Sequence, residues 1–372
     1  MTKIGIVGLG AMGLGIAQVF AQAGCEVIGT DQNADARATA RERMRAALES
    51  RIKAGKLAPG DLDETIARLT ITDDLRGFAG ADMIIEAIIE DLAVKQALLR
   101  DLAQIARPDT VLATNTSALS VGAIAQGLRG TERVLGLHFF NPAPAMRLVE
   151  LVAHAGTGRA ALSTARTLSE LAGKTVIQCA DRPGFIVNRC ARPFYGEALA
   201  LLEEGRTASD IDAAMLAAGY RMGPFTLIDL IGADINLAAT EGLAGGMGHH
   251  PRYHVFQALR DQVARGDLGR KTGRGFLFPT APGPVPDDAD LIQLRIESTL
   301  ANEAASLLAE GAVTADDIDT ALRLGLNFPR GPFESARALG PSRVRKELAR
   351  LQSAAAASLN TRYDIAAPLR DL

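Results

Sequence analysis

The stretch Ile4-Gly5-Ile6-Val7-Gly8-Leu9-Gly10-Ala11-Met12-Gly13 decides how the first half of this chain folds. Ile4 to Val7 is a short apolar run of the kind that makes a buried strand. The glycines that follow have the spacing G-x-G-x-x-G, and Ala11 to Ala23 continues as a helical pattern. A glycine triplet alone is weak evidence, but between a strand and a helix it reads as a dinucleotide-binding turn. Gly8 permits the tight turn, Gly10 lets the backbone approach a pyrophosphate, and Gly13 lets the helix pack close to the strand. Ala11 and Met12 open the helix, whose free N–H groups and positive dipole end suit an anion.

Asp31 follows the next strand, Glu26 to Thr30. A carboxylate there hydrogen-bonds an adenosine ribose 2′-hydroxyl and repels a 2′-phosphate. Gln32 rather than a basic residue comes after it, so the pattern predicts NAD rather than NADP. Working outward, a long charged helix is expected from Ala34 to Ala54. Strands are expected at Met83 to Ala87, Val111 to Ala113 and Val134 to Leu137, with a helix from Leu92 to Ile105. Strand–helix–strand repetition of this kind predicts a Rossmann-type α/β domain over 1–183, built on a parallel sheet with helices on both faces.

Beyond Pro183-Gly184 the strands nearly vanish and Ala/Leu-rich helical stretches take over. A Pro-rich linker, Thr280-Ala281-Pro282-Gly283-Pro284, separates a helical region at 184–279 from a shorter one at 287–372. The second is a diverged copy of the first. Glu197 to Gly205 matches Glu303 to Gly311, Asp210-Ile211-Asp212 matches Asp317-Ile318-Asp319, and Gly223-Pro224-Phe225 matches Gly331-Pro332-Phe333. Generic Ala-rich helices would explain the composition but not these coincidences in order. The expected architecture is therefore an α/β dinucleotide-binding domain followed by two tandem all-α domains. Asn188 of the first copy falls opposite Leu294, so the second copy lacks that polar group and is not expected to be a second active site.

Composition narrows the classes. With 372 residues, 48% hydrophobic and 22% charged, the chain reads as a globular protein of two or three domains. A net charge of −3 without a basic stripe argues against nucleic acid, and no apolar run approaches the ~18 residues a membrane helix needs. The N-terminus runs straight into a strand, with no signal-peptide pattern. Cys25, Cys179 and Cys190 form no disulfide framework and read as buried small hydrophobes, which suits a reducing, cytoplasmic setting. His249, His250 and His254 cluster without acidic or thiol partners at metal spacing, so they read as a surface loop and no metal is expected.

Four polar residues sit where such a sheet presents ligands, at or after strand ends. His138 ends an apolar strand, Glu150 lies in the strand-like run after it, Ser117 follows another strand, and Asn188 opens the helical region. By position alone each has a bland reading, since a histidine on an apolar strand is more often packed than reactive.

Their surrounding motifs add more. GLGAMGLGIAQ (8–18), EAIIEDLAVKQ (86–96), ATNTSALS (113–120), GLHFFNPAPAMRLVELV (136–152), DRPGFIVNR (181–189), AMLAAGYRMGPF (214–225) and LGRKTGRGF (268–276) occur in one order. In these segments the chain resembles the 3-hydroxyacyl-CoA dehydrogenase family, and the tandem copy resembles members with a duplicated C-terminal domain. The resemblance implies NAD-dependent, reversible oxidation of a short-chain (S)-3-hydroxyacyl-CoA, such as a 3-hydroxybutyryl or 3-hydroxyadipyl thioester. It implies that His138 takes the hydroxyl proton as hydride leaves for the nicotinamide, a step that needs a positioned base. Glu150 would orient the imidazole, Ser117 and Asn188 would hold the substrate, and Glu90, Lys95, Ser117, Asn141 and Lys271 would surround the cofactor.

The family's basic positions for the CoA phosphates fall here on Ser50 and Ala54, with Arg51, Lys53 and Lys56 beside them. Single-copy members pair through the helical domain, so the two copies are expected to form an internal pseudo-dimer, with a homodimer also open. Two rival readings keep the glycine turn: a dehydrogenase of a free hydroxy acid or sugar acid, and a non-catalytic NAD-binding sensor. The sensor leaves the His138, Glu150, Ser117 and Asn188 set without purpose.

Overall fold

The computed structural model describes residues 1–55, 57–58 and 60–372. The chain divides into two compact units, Met1–Phe185 and Ile186–Leu372. The first carries an eight-stranded sheet in the order β3-β2-β1-β4-β5-β6-β7-β8. The strands are β1 Lys3–Val7, β2 Glu26–Thr30, β3 Leu69–Ile71, β4 Met83–Glu86, β5 Val111–Thr114, β6 Val134–Phe139, β7 Leu148–Ala153 and β8 Thr175–Ala180. Strand order reverses between β1 and β4, which makes the crevice at their carboxyl ends the switch point where such sheets bind ligands.

The first six strands pair in parallel, as their helical crossovers require. The parallel sheet expected from sequence holds for these six strands, and β7 then runs antiparallel to β6. The cause is the connection. Residues 140–147 hold no helix, and a parallel return needs a crossover of about a dozen residues or more. β8 then pairs in parallel with β7 after the helix Arg159–Leu171. β3 and β8 were not anticipated. β3 is a three-residue edge strand, too short to show a period.

Helix α1 (Ala11–Gln22) buries nearly its whole length, including Ile16, Phe20 and Ala21, against the sheet. Helix α2 (Ala34–Lys53) is polar all round except for Ala40, Met44 and Leu48, spaced four apart in one narrow stripe. Asn33 starts it by accepting hydrogen bonds from the N–H groups of Asp35 and Ala36.

The second unit contains both helical copies, and their shared motifs turn out to be one device. The buried carboxylate of Asp212 accepts the N–H groups of Phe225 and Thr226, and Asp319 accepts those of Phe333 and Glu334. Each aspartate therefore caps the helix that begins Gly-Pro-Phe. A Cβ on Gly223 would lie 2.2 Å from the Asp212 carboxyl carbon, and one on Gly331 2.3 Å from Asp319, so only glycine fits. Burial pushes the Asp319 carboxyl up to about 6, against the two N–H donors that oppose it.

The copies also exchange buried ion pairs reciprocally. Arg189 Nε meets Glu303 at 2.7 Å, while the matching Arg295 Nε meets Glu197 at 2.9 Å. Tyr253 and Arg252 complete the partners of Glu303, as Tyr363 and Arg362 complete those of Glu197. Residue i touching j while its counterpart j touches i is the mark of a two-fold, self-complementary contact.

Candidate active site

The glycine turn adopts the geometry its sequence requires. Gly8 has φ 97°, and a Cβ there would lie 2.5 Å from the Ala87 carbonyl oxygen, so the turn after β1 lies hard against the chain leaving β4. A Cβ on Gly13 would fall 1.8 Å from the Gly8 oxygen, which seats α1 on the turn. Around Gly10 there is open space within 4 Å, and α1 has no side-chain cap. The open side of the turn and the uncapped helix start are what a pyrophosphate needs. Asp31 stands at the end of β2, its Oδ2 accepting from Leu9 N at 2.7 Å and its Oδ1 from Asn33 N at 2.8 Å. The residues present fit a dinucleotide: Gly8, Gly10, Ala11, Met12 and Gly13 would hold its phosphates and Asp31 its ribose.

His138 and Glu150 are direct cross-strand partners in the β6–β7 ladder. Their side chains meet with His138 Nδ1 2.6 Å from Glu150 Oε2. Glu150 is fully buried and His138 is 6% exposed. Phe140 and Phe185 flank the imidazole, with ring centroids 4.5 and 5.7 Å away. Asn115, at the end of β5, accepts the Phe139 N–H on its Oδ1 and fixes the strand end that carries His138. Lys174 donates to the carbonyls of Ala143 and Met146 at 2.6 and 2.8 Å, clamping the loop between the pair. Burial, and then the neighbouring Arg51 charge, push the Lys174 ammonium down to about 8.

Glu90 accepts three bonds on Oε1, from the Thr116 hydroxyl and the N–H groups of Ser117 and Ala118. Burial works to raise its carboxyl, but Thr116, Lys95 and Ser117 outweigh that and hold it below the ordinary range. The loop that presents Ser117 is thus built on Glu90. Lys95 stands behind it, 1% exposed, with its ammonium 3.0 Å from both oxygens of Glu86 and 3.2 Å from Glu90. Those acceptors occupy all three donors of an ammonium. Glu86 itself is fully buried and also takes the Thr114 hydroxyl. Glu86 and Thr116 were not singled out from sequence. The available signal was a carboxylate ending an apolar strand, with a lysine in the first turn of the helix that follows.

Asn141 lies exposed in the loop after β6. Arg51 and Lys53 end α2, and Arg51 Nε is buried without a hydrogen-bond partner. Lys56 lies outside the described residues. Asn188 and Lys271 belong to the second unit. Asn188 sits in the helical turn Val187–Cys190, and Lys271 pairs with Asp234 at 2.6 Å.

The profile of the 3-hydroxyacyl-CoA dehydrogenase NAD binding domain matches residues 3–182, and that of the family's C-terminal domain matches 184–278 and again 292–367. The chain belongs to the 3-hydroxyacyl-CoA dehydrogenase family. It is an NAD-dependent oxidoreductase of that family, and its tandem helical region is the family's C-terminal domain twice over. It is 33% identical to 3-hydroxyadipyl-CoA dehydrogenase of Escherichia coli K12, over 94% of this chain and 93% of that protein. A crystal structure of 3-hydroxybutyryl-CoA dehydrogenase from Escherichia coli K12 superposes with a TM-score of 0.93 at 32% identity, covering 100% of this chain and 98% of that one. The (S)-3-hydroxybutyryl-CoA dehydrogenase of Ralstonia eutropha gives a TM-score of 0.72 at 35% identity, covering 74% of this dehydrogenase and 98% of its own chain. Among the described residues no helix is long and apolar enough to cross a membrane.

Proposed function

We propose that the enzyme oxidises the 3-hydroxyl of a short-chain (S)-3-hydroxyacyl-CoA to the 3-oxo thioester, reversibly, with His138 as the proton acceptor. The observation that carries this reading is the 2.6 Å contact between His138 Nδ1 and the fully buried Glu150. With Nδ1–H donating its hydrogen bond to Glu150, the imidazole keeps its lone pair on Nε2. Nε2 takes the hydroxyl proton, and the Glu150 carboxylate offsets the charge the ring then gains. NAD supplies the hydride acceptor.

Ser117, on the loop held by Glu90, and Asn188 would hydrogen-bond the substrate oxygens. Glu90 would face the cofactor, with Lys95 positioning it from behind, and Asn141 and Lys271 would border the same site. Arg51 and Lys53 would meet the CoA phosphates, together with Lys56. The three buried cysteines suit the reducing cytoplasm.

We further read the helical copies as an internal pseudo-dimer, which the reciprocal Arg189–Glu303 and Arg295–Glu197 pairs support. Domains 184–279 and 287–372 would then be halves of one folding unit.

The test is NADH oxidation by acetoacetyl-CoA against free 3-oxo acids of equal length. Turnover of the thioester with little activity on the free acids supports the reading. Preference for the free acids would favour the hydroxy-acid alternative, and NADH binding without turnover of either would favour a sensor.

A further inference from the structure

Behind the loop that carries Ser117, the α/β unit gathers more negative charge than positive. Glu86 and Glu90 share one ammonium, that of Lys95, with contacts of 3.0 Å to both Glu86 oxygens and 3.2 Å to Glu90. Every hydrogen-bond partner of the Glu86 side chain is a donor. They are Lys95, the Ile88 N–H at 3.3 Å and the Thr114 hydroxyl, whose own oxygen accepts the Thr116 N–H. A protonated acid needs an acceptor, so Glu86 is a carboxylate. Glu90 likewise meets only donors and is held below the ordinary carboxylate range. Two carboxylates against one ammonium leave one net negative charge. Glu86 is fully buried and Lys95 nearly so, whereas the Glu90 side chain is 38% exposed. The charge therefore reaches the surface through Glu90. Lys95 spends all three donors inside the group, so what the group can offer a ligand from behind Glu90 is charge and not a hydrogen bond.

Strand order sets this charge beside the cofactor. The phosphates would lie at the turn after β1, and the adenosine ribose at Asp31 after β2. His138, at the end of β6, has to share a reacting carbon with the nicotinamide. Between β1 and β6 stand β4 and β5, a span of about 14 Å at the usual strand spacing. The nicotinamide half would therefore cross the carboxyl ends of β4 and β5. Glu90 follows β4, and Thr116 and Ser117, which donate to it, follow β5. We infer that Glu86 is a positioning residue for the cofactor: it ties up Lys95 from behind and leaves Glu90 as a net negative charge that favours the cationic ring of NAD⁺ over the neutral ring of NADH. Lys95 and Glu90 alone would cancel, and the second carboxylate restores the field. The inference rests on the reading of His138 as proton acceptor and of Glu90 as facing the cofactor.

The experiment measures the affinities for NAD⁺ and NADH without substrate, NADH by its fluorescence and NAD⁺ by competition against it. The two forms differ in ring charge, so a loss of pocket shape weakens both and leaves their ratio. Glu86→Gln should raise Kd(NAD⁺)/Kd(NADH) by about 10-fold, the effect of removing one unit charge roughly 10 Å from the ring at an effective dielectric of about 20. Glu90→Gln, nearer the ring, should raise it at least as far. Glu86→Asp keeps the charge and should leave the ratio close to wild type, whatever happens to the separate affinities. A Glu86→Gln protein whose ratio does not rise overturns the inference. So does an unchanged ratio in Glu90→Gln, which decides the matter even where the Glu86 variant does not fold. A wild-type protein that binds neither form would instead sink the dehydrogenase reading beneath it.

Discussion

Both units of this enzyme bury carboxylates against basic side chains, and they use them differently. In the α/β unit Glu150 holds a histidine by one nitrogen, and on the proposed reading the other takes the substrate proton. In the helical unit Glu197 and Glu303 are each surrounded by arginines and a tyrosine that do nothing but join the two copies. A buried carboxylate can serve chemistry where its basic partner keeps a nitrogen unused, and serves the fold where it ties one segment to another. Lys95 shows that the rule does not follow the unit boundary, because its three donors are spent on Glu86 and Glu90.

The contrast is open to direct attack. The largest effect is expected at the functional pair. His138→Gln should lower kcat by about 10²- to 10⁴-fold, the range of a positioned acid–base group, with NAD affinity and Tm nearly unchanged. A variant that retained near-native kcat with chemistry rate-limiting would remove His138 from the mechanism. At the structural pairs the readout should move from rate to stability. Glu303→Gln and Glu197→Gln should each destabilise by about 3–5 kcal/mol in denaturant unfolding, and by similar amounts, because each strands buried arginines. Markedly unequal losses would contradict the two-fold equivalence of the copies.

The smallest effect distinguishes a single cap. The Asp319 carboxyl lies at about 6 in the folded protein and at an ordinary 3.8 when unfolded. A raised acid contributes no penalty below 3.8, loses stability for the fold as pH climbs to about 6, and carries the full cost above it. Stability of wild type relative to Asp319→Asn should therefore fall between pH 4 and 7, by about 2–3 kcal/mol. A difference independent of pH would show that Asp319 does not titrate there.

Much of the first unit was legible because its turn is a local code. Gly8, Gly10 and Gly13 state their roles in three letters, and α1 and α2 begin where the sequence places them. His138 and Glu150 were legible as residues, and the resemblance implied their pairing, but their spacing alone did not show it. Their contact depends on the antiparallel turn of the chain at 140–147, and no period in either strand announces a reversal. Glu86, and its pairing with Lys95, was hidden for a related reason: an ion pair closed between a strand end and a helix is a tertiary event. In the helical unit the Asp-Ile-Asp and Gly-Pro-Phe repeats were visible as coincidences. Only the structure shows that the aspartate occupies the space a glycine side chain would need.

The placement of His138 opposite Glu150 has a consequence for how this site tolerates change in the gene. Adjacent residues on a strand face opposite sides of the sheet, so a one-residue slip would bring Val149 or Leu151 opposite the imidazole and turn Glu150 away. A single codon lost from the segment encoding 140–147 therefore threatens the base and its partner together, though it touches neither. The Lys174 clamp on Ala143 and Met146 holds that count in place, and natural length variation is expected to accumulate elsewhere.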